Sequence, residues 1–150
     1  MIYFDIDGTV RNLHATFPPE LQSFRKWEDF GSCHYEFVKQ NLCRCLYDAP
    51  VYQDMFDFIT CQENTPIFLT SNTASYFWNY MFLFRHFRDF ELIVVESMEA
   101  KLKYLVDGVL LFDDYPYFPE EYRDRIVLVE REWNREYKGN YNKVFRGRND

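Results

Sequence analysis

Apolar runs of strand length recur along this chain, and segments long enough for helices separate them. The predicted strands are 2–6, 66–70, 91–95, 109–112 and 126–129. Strands that alternate with helices are typical of an α/β domain with a mostly parallel sheet. The 150 residues fall in the usual size range of one domain, and 47% of them are hydrophobic, which is ample for a core. The sequence therefore predicts a single domain over 1–150 with a Rossmann-like three-layer fold.

The segments between the strands carry helix signals. Pro18 and Pro19 suit the start of a helix, and Gly108 suits the end of one. The predicted helices are 20–30, 34–47, 51–62, 73–87 and 98–106, with a short helical turn around Pro119. The stretch 11–48 is longer than a plain crossover, so we expect a small helical cap inserted after strand one. For the last twenty residues the pattern does not decide between helix and irregular structure.

The first predicted strand ends in two carboxylates. Asp5 and Asp7 are two residues apart, so along a strand their side chains start on the same side. Gly8 then lets the backbone turn sharply or approach a ligand closely. Paired carboxylates repel each other unless a divalent cation, a shared proton or acid–base chemistry uses them. A solvated Asp-Gly turn is the alternative interpretation.

Three later segments place more polar side chains next to predicted strands. These side chains are Thr70, Ser71, Asn72, Lys101, Lys103, Asp113 and Asp114. In open α/β sheets the ligand crevice lies beyond the carboxyl ends of the strands, so we expect these groups to converge there. Carboxylates, a cation and hydroxyls together suit a phosphoryl group held with Mg²⁺, where catalysis is mostly positioning and charge neutralisation.

At this point the chain resembles a known family. The order Asp-Ile-Asp-Gly-Thr, Leu-Thr-Ser, Lys and Phe-Asp-Asp is similar to the motifs of the haloacid-dehalogenase-like (HAD) phosphatase superfamily. The resemblance covers residues 1–114. It implies a two-step phosphoryl transfer in which Asp5 is the nucleophile. Asp7 would protonate the leaving oxygen and then activate water, and an acid at this position is typical of the phosphatases within the superfamily.

The same resemblance implies the groups that hold phosphate and metal. Thr70 and Ser71 would bind the phosphoryl oxygens together with Lys103. Lys101 is the alternative lysine, because a register difference of two residues exchanges them. The resemblance implies Mg²⁺ as the cofactor, and its implied ligands are Asp5, Asp7 through its carbonyl, Asp113 and Asp114.

A finer resemblance concerns the substrate. The segment from Ile67 to Phe90 resembles the hydroxyl motif and aromatic helix of the small 5′-nucleotidases, especially the deoxyribonucleotidase group. This implies a (deoxy)nucleoside monophosphate as substrate, and Trp27 is our candidate for stacking on its base. Core packing is the alternative role for Trp27. A phosphatase acting on a protein or nucleic-acid end, and a relative that binds phosphate without turnover, also stay open.

Charge is unevenly distributed along the chain. The net charge is −7, and the segment 131–150 holds six basic against three acidic side chains, so it carries +3 while 1–130 carries −10. An acidic body does not suit a protein that binds duplex nucleic acid. The basic C-terminal segment is the one nucleic-acid signal, and a solvated end or packing on the acidic body is its simpler interpretation. The sequence leaves the oligomeric state open.

Location is inferred from what the sequence lacks. The chain begins directly in a predicted strand, without a signal peptide, and no apolar run approaches the ~20 residues of a membrane span. The four cysteines do not have zinc-site spacing and are expected to be reduced thiols. These features predict a cytoplasmic protein that has no contact with a membrane.

Overall fold

The computed structural model describes residues 1–147 and has a six-stranded sheet in which all neighbouring strands run parallel. The strands are β1 (Ile2–Phe4), β2 (Ile67–Thr70), β3 (Glu91–Val94), β4 (Leu110–Asp113), β5 (Ile126–Val129) and β6 (Lys143–Phe145). The predicted α/β class, the mostly parallel sheet and the predicted strands are therefore confirmed. The last strand, β6, lies in the segment for which the sequence left only helix or irregular structure as alternatives, so this strand was not predicted.

Helices connect the strands on both faces of the sheet. The α-helices of the described chain are α1 (Ser32–Gln40), α2 (Gln53–Thr60), α3 (Tyr76–His86) and α4 (Met98–Lys101). The 3₁₀ helices are His14–Thr16, Pro19–Leu21, Trp27–Asp29, Leu102–Tyr104, Glu120–Arg125 and Glu132–Asn140, and Cys43–Tyr47 is a π-helical turn. The predicted helices 51–62 and 73–87 are confirmed, whereas 98–106 is a short α-helix that continues as a 3₁₀ helix.

The alternation of side chains along the strands divides the core into two layers. Phe4 and Phe68 pack on the face that α2 and α3 cover, in one apolar cluster. Tyr3 and Leu69 pack on the opposite face with Leu105, just beyond α4. Because successive strand residues point to opposite faces, each strand contributes to both layers. The result is a Rossmann-like arrangement of helices, sheet and helices.

The strand order positions the site. Across the sheet the order is β3-β2-β1-β4-β5-β6, so the chain builds outward from β1 to β3 and then returns to the other side of β1 with β4. A reversal of this kind opens a crevice at the carboxyl ends of the central strands. Residues that directly follow β1, β2 and β4 therefore meet at one edge of the sheet.

The segment 11–48 is less helical than the sequence predicted. The prediction of a helix over 20–30 is wrong, since the regular turns there are two short 3₁₀ helices. The Asp29 carboxylate accepts hydrogen bonds from the backbone amides of Arg25 and Lys26, both at 3.0 Å, and this local bonding replaces a continuous helix. The predicted helix 34–47 begins at Ser32, ends as an α-helix at Gln40 and is followed by the π-helical turn.

The sequence also led to predictions about the cysteines, membrane spans and the basic C-terminal segment. All four cysteines are free, and only Cys45 is buried. Among the helices of residues 1–147, none has the length and apolar character needed to cross a membrane. Residues 131–147 of the basic C-terminal segment form the last 3₁₀ helix and β6, and 148–150 lie outside the described residues.

Candidate functional site

Three carboxylates converge at the carboxyl edge of the sheet. Asp5 directly follows β1, Asp113 ends β4 and Asp114 comes next, and one oxygen from each lies within 4.8 Å of the others. All three are buried, with exposed fractions of 6%, 1% and 4%. The topology therefore brings together the acids that the sequence separates by more than a hundred residues, as the strand-end argument predicted.

The lysine that joins this cluster is Lys101, and not Lys103 as predicted. Its Nζ donates to Asp5 Oδ1 and to Asp113 Oδ2, each at 2.8 Å, and the side chain is buried. Lys103 is exposed to solvent. Residues two apart on a helical segment point in nearly opposite directions, so the register of α4 admits only one of these lysines to the site.

Burial and mutual repulsion disturb the charges of the cluster. Burial, followed by the charge of Asp113, raises the pKa of Asp5 from its ordinary 3.8 to about 7. Burial and the charges of Asp5 and Asp113 raise the pKa of Asp114 well above its ordinary value. Burial also opposes the charge of Lys101, but Asp113 and Asp5 outweigh it and raise the lysine pKa. The cluster thus has more negative charge than one lysine neutralises.

Two side chains from the C-terminal segment orient Asp114. Trp133 Nε1 donates to Asp114 Oδ2 at 2.9 Å, and Asn134 Nδ2 donates to the Asp114 carbonyl at 2.8 Å. Trp133 also stacks on Phe24, with ring centroids 5.1 Å apart. The first residues of the basic C-terminal segment therefore pack on the acidic body, which is one of the two simpler interpretations given for this segment.

Asp7 lies outside the three-carboxylate cluster and has its own partners. The guanidinium of Arg11 binds it through two nitrogens, Nε to Oδ1 at 2.6 Å and Nη2 to Oδ2 at 2.9 Å. Asn72 Nδ2 donates to the same Oδ2 at 2.8 Å. These donors fix the direction of a carboxylate that is partly exposed to the cavity.

Arg11 is itself fully buried, and sequence reasoning missed it. Beyond Asp7, its guanidinium donates to Asn79 Oδ1 at 2.8 Å and to the Leu46 carbonyl at 3.1 Å, and it lies over the Phe82 ring. Every one of these partners is distant in sequence, so no local pattern separates Arg11 from an ordinary surface arginine. The side chain links the loop after β1 to α3 and to the segment 11–48.

A second arginine holds the backbone of the same loop. Arg131 donates to the carbonyls of Gly8 and Thr9, both at 2.9 Å, and to Asp54 at 3.0 Å. Gly8 has φ +80°, and a Cβ placed on it would overlap the Asp114 carboxylate. Glycine is therefore required at this position both by backbone conformation and by the close approach of Asp114.

The two predicted hydroxyl residues lie at the end of β2, Thr70 as its last residue and Ser71 directly after it, and both line the same cavity as the carboxylates. Thr70 is buried, and its Oγ1 accepts a hydrogen bond from the Asn72 amide at 3.0 Å. Ser71 is partly buried, and its Oγ lies 3.3 Å from the sulfur of Met98. The structure thus brings Thr70 and Ser71 to the edge where Asp5 and Lys101 meet.

A cavity of about 500 Å³ opens above the carboxylates, between the sheet edge and the segment 11–48. Its aromatic wall is formed by Phe17, Phe24, Trp27, Phe30, Tyr35, Tyr52, Tyr115 and Trp133. Trp27 is partly buried and makes an edge contact with Tyr115, with centroids 5.2 Å apart. The predicted stacking residue therefore lines the same cavity as Asp5.

The donor set fits a hard divalent cation. Carboxylate oxygens from Asp5, Asp113 and Asp114 are the ligand type that Mg²⁺ and Ca²⁺ take, whereas sulfur and imidazole ligands, which softer metals prefer, do not contribute to this cluster. A cation there would also oppose the burial and the mutual repulsion that together raise the pKa of Asp5 and of Asp114.

Comparisons with protein-family models, with curated proteins and with solved structures found no match to this chain.

Proposed function

We propose that this protein is a Mg²⁺-dependent phosphomonoesterase of the HAD-like type that acts through an aspartyl-phosphate on Asp5. The observation that carries the proposal is the buried cluster of Asp5, Asp113 and Asp114 with Lys101, set at the carboxyl edge of a parallel sheet and open to a cavity. Buried carboxylates at close range are costly to keep, and phosphoryl transfer is a chemistry that uses all of them.

In the first step a carboxylate oxygen of Asp5 attacks phosphorus and forms a phosphorus–oxygen bond. The bond from phosphorus to the ester oxygen breaks, and Asp7 gives that leaving oxygen its proton. In the second step Asp7 takes a proton from water, the water oxygen attacks phosphorus, and phosphate leaves Asp5. Arg11 and Asn72 fix the Asp7 carboxylate beside the cavity and favour its ionised form, which is the form that takes the proton from water.

The phosphoryl oxygens need donors on the side away from the leaving group. Thr70 and Ser71 supply hydroxyl groups at the end of β2, and Lys101 takes the role that the sequence gave to Lys103. Mg²⁺ held by Asp5, Asp113 and Asp114, with the Asp7 carbonyl as a further ligand, would neutralise charge on the phosphoryl group during transfer. Together these groups lower the repulsion between an anionic nucleophile and an anionic substrate.

The size and walls of the cavity support a small phosphorylated substrate with a flat ring. We propose a (deoxy)nucleoside monophosphate, with its phosphate over Asp5 and its base against the aromatic wall near Trp27. In this proposal the segment 11–48 acts as the cap, since it supplies most of that wall. We also infer a cytoplasmic location, because the four free cysteines suit a reducing compartment.

The test is a panel of phosphate monoesters assayed with Mg²⁺ and with excess chelator. The wild-type protein should release phosphate only with the metal, and Asp5→Asn should lower kcat by about three orders of magnitude or more. Asp89→Asn is the matched control, because Asp89 is an exposed carboxylate outside the cavity.

A second readout does not require turnover. Beryllium fluoride with Mg²⁺ mimics a phosphoryl group on a carboxylate, so it should raise the unfolding temperature of the wild type but not of Asp5→Asn. Activity in excess chelator, or normal turnover by Asp5→Asn, would contradict the proposed mechanism. Tight binding of phosphate esters with no release of phosphate would instead favour the non-catalytic phosphate-binding relative.

A further inference from the structure

The two ends of the segment 11–48 are held on α3. At one end Arg11 donates to Asn79 Oδ1 at 2.8 Å, and at the other end the Tyr47 ring lies 5.6 Å from that of Trp78. The middle of the segment lines the cavity. The contacts that hold the middle in place therefore fix the shape of the cavity wall.

The middle of the segment, which we call the loop 18–31, reaches the later part of the chain through polar contacts at the surface. Tyr137 donates from its hydroxyl to Glu28 Oε1 at 3.3 Å, and the guanidinium of Arg25 lies 3.8 Å from the carboxylate of Glu132. These groups are exposed, and exposed pairs of this length contribute little to stability. The polar contacts alone do not hold the loop firmly.

A stack of two buried rings also joins the loop to the later part of the chain. Phe24 and Trp133 are only 5% and 6% exposed, their ring centroids are 5.1 Å apart, and the ring planes differ by 17°. His14 packs against both rings, with its centroid 5.4 Å from Phe24 and 5.9 Å from Trp133. Because opening the loop would expose this apolar surface to water, the stack stabilises the closed position of the loop.

Trp133 extends this contact to the carboxylate cluster. Its Nε1 donates to Asp114 Oδ2 at 2.9 Å. Since Nε1 is part of the rigid indole, the direction of the donor depends on the tilt of the ring, and Phe24 covers one face of that ring. Hydrogen bonds weaken steeply when the donor is misaligned. Phe24 and Asp114 are thus linked through a single side chain.

We propose that Phe24 is a positioning residue for the metal site. Through Trp133 it couples the position of the loop 18–31 to the orientation of Asp114. A cation therefore binds more tightly when the loop is closed, and a bound cation holds the loop closed by the same factor, because coupling between two equilibria is reciprocal. This inference rests on the proposed function, since it takes the three-carboxylate cluster as the site of the cation.

The first test is the binding of Mg²⁺ to the full chain, measured by titration calorimetry. Phe24→Leu should raise the dissociation constant about fivefold, less than the usual effect of losing a direct partner of a metal ligand. The matched control is Phe37→Leu, because Phe37 belongs to the same segment and packs on Phe17 but lies outside the cavity. The control should change the dissociation constant less than about twofold.

A double-variant cycle tests the path through Trp133. In the Trp133→Phe background the hydrogen bond to Asp114 is already absent. Phe24→Leu should then raise the Mg²⁺ dissociation constant less than about twofold, because the two side chains act through one bond. An equal rise in both backgrounds would overturn the path. Circular dichroism checks that each variant is folded.

Hydrogen exchange measures the reverse effect and needs no variant. Saturating Mg²⁺ should slow amide exchange in the loop 18–31 of the wild type, because the cation favours the closed loop. The slowing should be weaker in Phe24→Leu and in Trp133→Phe at saturating Mg²⁺. Exchange in the wild-type loop that Mg²⁺ leaves unchanged, or equal dissociation constants for Phe24→Leu and the wild type, would overturn the proposal.

The same measurements separate this inference from the proposed function. A wild type that binds no Mg²⁺ would overturn both the metal site and the coupling. Binding that depends on Phe24, in a protein that releases no phosphate from any ester, would support the coupling and contradict the phosphatase proposal. Release of phosphate with binding that does not depend on Phe24 would overturn the coupling alone.

Discussion

The guanidinium of Arg11 binds the Asp7 carboxylate through two nitrogens, and the arginine side chain is fully buried. We expect Arg11→Met to lower kcat by about a hundredfold while changing KM little, because Asp7 would lose its fixed direction but the phosphate-binding groups would not move. The decrease in kcat should be greater for alkyl phosphates than for 4-nitrophenyl phosphate, because the leaving group of 4-nitrophenyl phosphate needs no proton. Asn72→Ala, which removes one bond to Asp7, should show the same trend more weakly.

Single variants of Lys101 and Lys103 test which of the two lysines belongs to the site. Lys101→Met should abolish turnover, with kcat at least about a thousandfold lower, because Asp5, Asp113 and the phosphoryl group then lose the positive charge of the lysine. Lys103→Met is the matched control and should keep nearly normal kinetics. Steady-state assays measure the turnover of the two variants. If Lys103→Met loses turnover and Lys101→Met keeps it, Lys103 is the lysine of the site, as the sequence first predicted.

The raised carboxyl pKa values predict how stability depends on pH without metal. Between about pH 4 and about pH 7 the folded state keeps a proton on Asp5 that the unfolded chain has released, because the folded pKa is about 7 against an ordinary 3.8. The free energy of unfolding should therefore fall as pH rises through this window, and Asp114 acts in the same direction. Urea unfolding in chelator at several pH values measures this, and Asp5→Asn should flatten the slope.

Addition of Mg²⁺ should restore the stability that the folded state loses as pH rises. At a metal concentration about a hundred times its dissociation constant, the folded state gains about 2.7 kcal/mol. The gain should be larger at about pH 8 than at about pH 5, because protons and metal compete for the same carboxylates. An equal gain at both pH values would show that the metal binds elsewhere.

The hydrogen bond from Trp133 to Asp114 predicts a role in metal affinity. Trp133→Phe keeps a ring to stack on Phe24 but removes the donor to Asp114 Oδ2. We expect the Mg²⁺ dissociation constant to rise by about ten- to a hundredfold, the usual effect of losing a group that orients a metal ligand. Titration calorimetry measures it, with Trp78→Phe as the control because Trp78 lies outside the cavity.

A variant of Trp27 tests whether the substrate is a nucleotide or another phosphate ester. If the base stacks on it, Trp27→Ala should raise KM for nucleoside monophosphates about tenfold and leave a small base-free ester nearly unchanged. Equal losses on both substrates would indicate a folding defect. If no nucleoside monophosphate is hydrolysed faster than base-free esters, the nucleotide proposal is wrong while the phosphatase proposal stands.

The sheet and the convergence of the acids could be predicted because their signals are local. Each central strand is a short apolar run, and the residues at its end must lie at the carboxyl edge once the strands are parallel. Asp5, Thr70 and Asp113 were found in this way. The choice between Lys101 and Lys103 was not local, since it depends on where α4 ends and how its last turn faces the sheet.

The segment 11–48 shows why other predictions failed. Its apolar residues recur at a spacing that suits a helix, but the bonds of Asp29 to the amides of Arg25 and Lys26 favour separate turns. Phe24 also finds its partner, Trp133, more than a hundred residues later in the chain. Neither the ring contact nor the buried role of Arg11 has a sequence pattern that would reveal it.

The contacts of Arg131, Trp133 and Asn134 have a consequence for the order of events during synthesis. All the carboxylates of the cluster lie within the first 114 residues, yet the groups that fix Gly8, Thr9 and Asp114 follow them in the chain. A nascent chain still attached to the ribosome at residue 130 would hold every acid of the site, but it would lack the side chains that orient Asp114 and the backbone of Gly8 and Thr9. The site is therefore completed only when residues 131–134 emerge and dock.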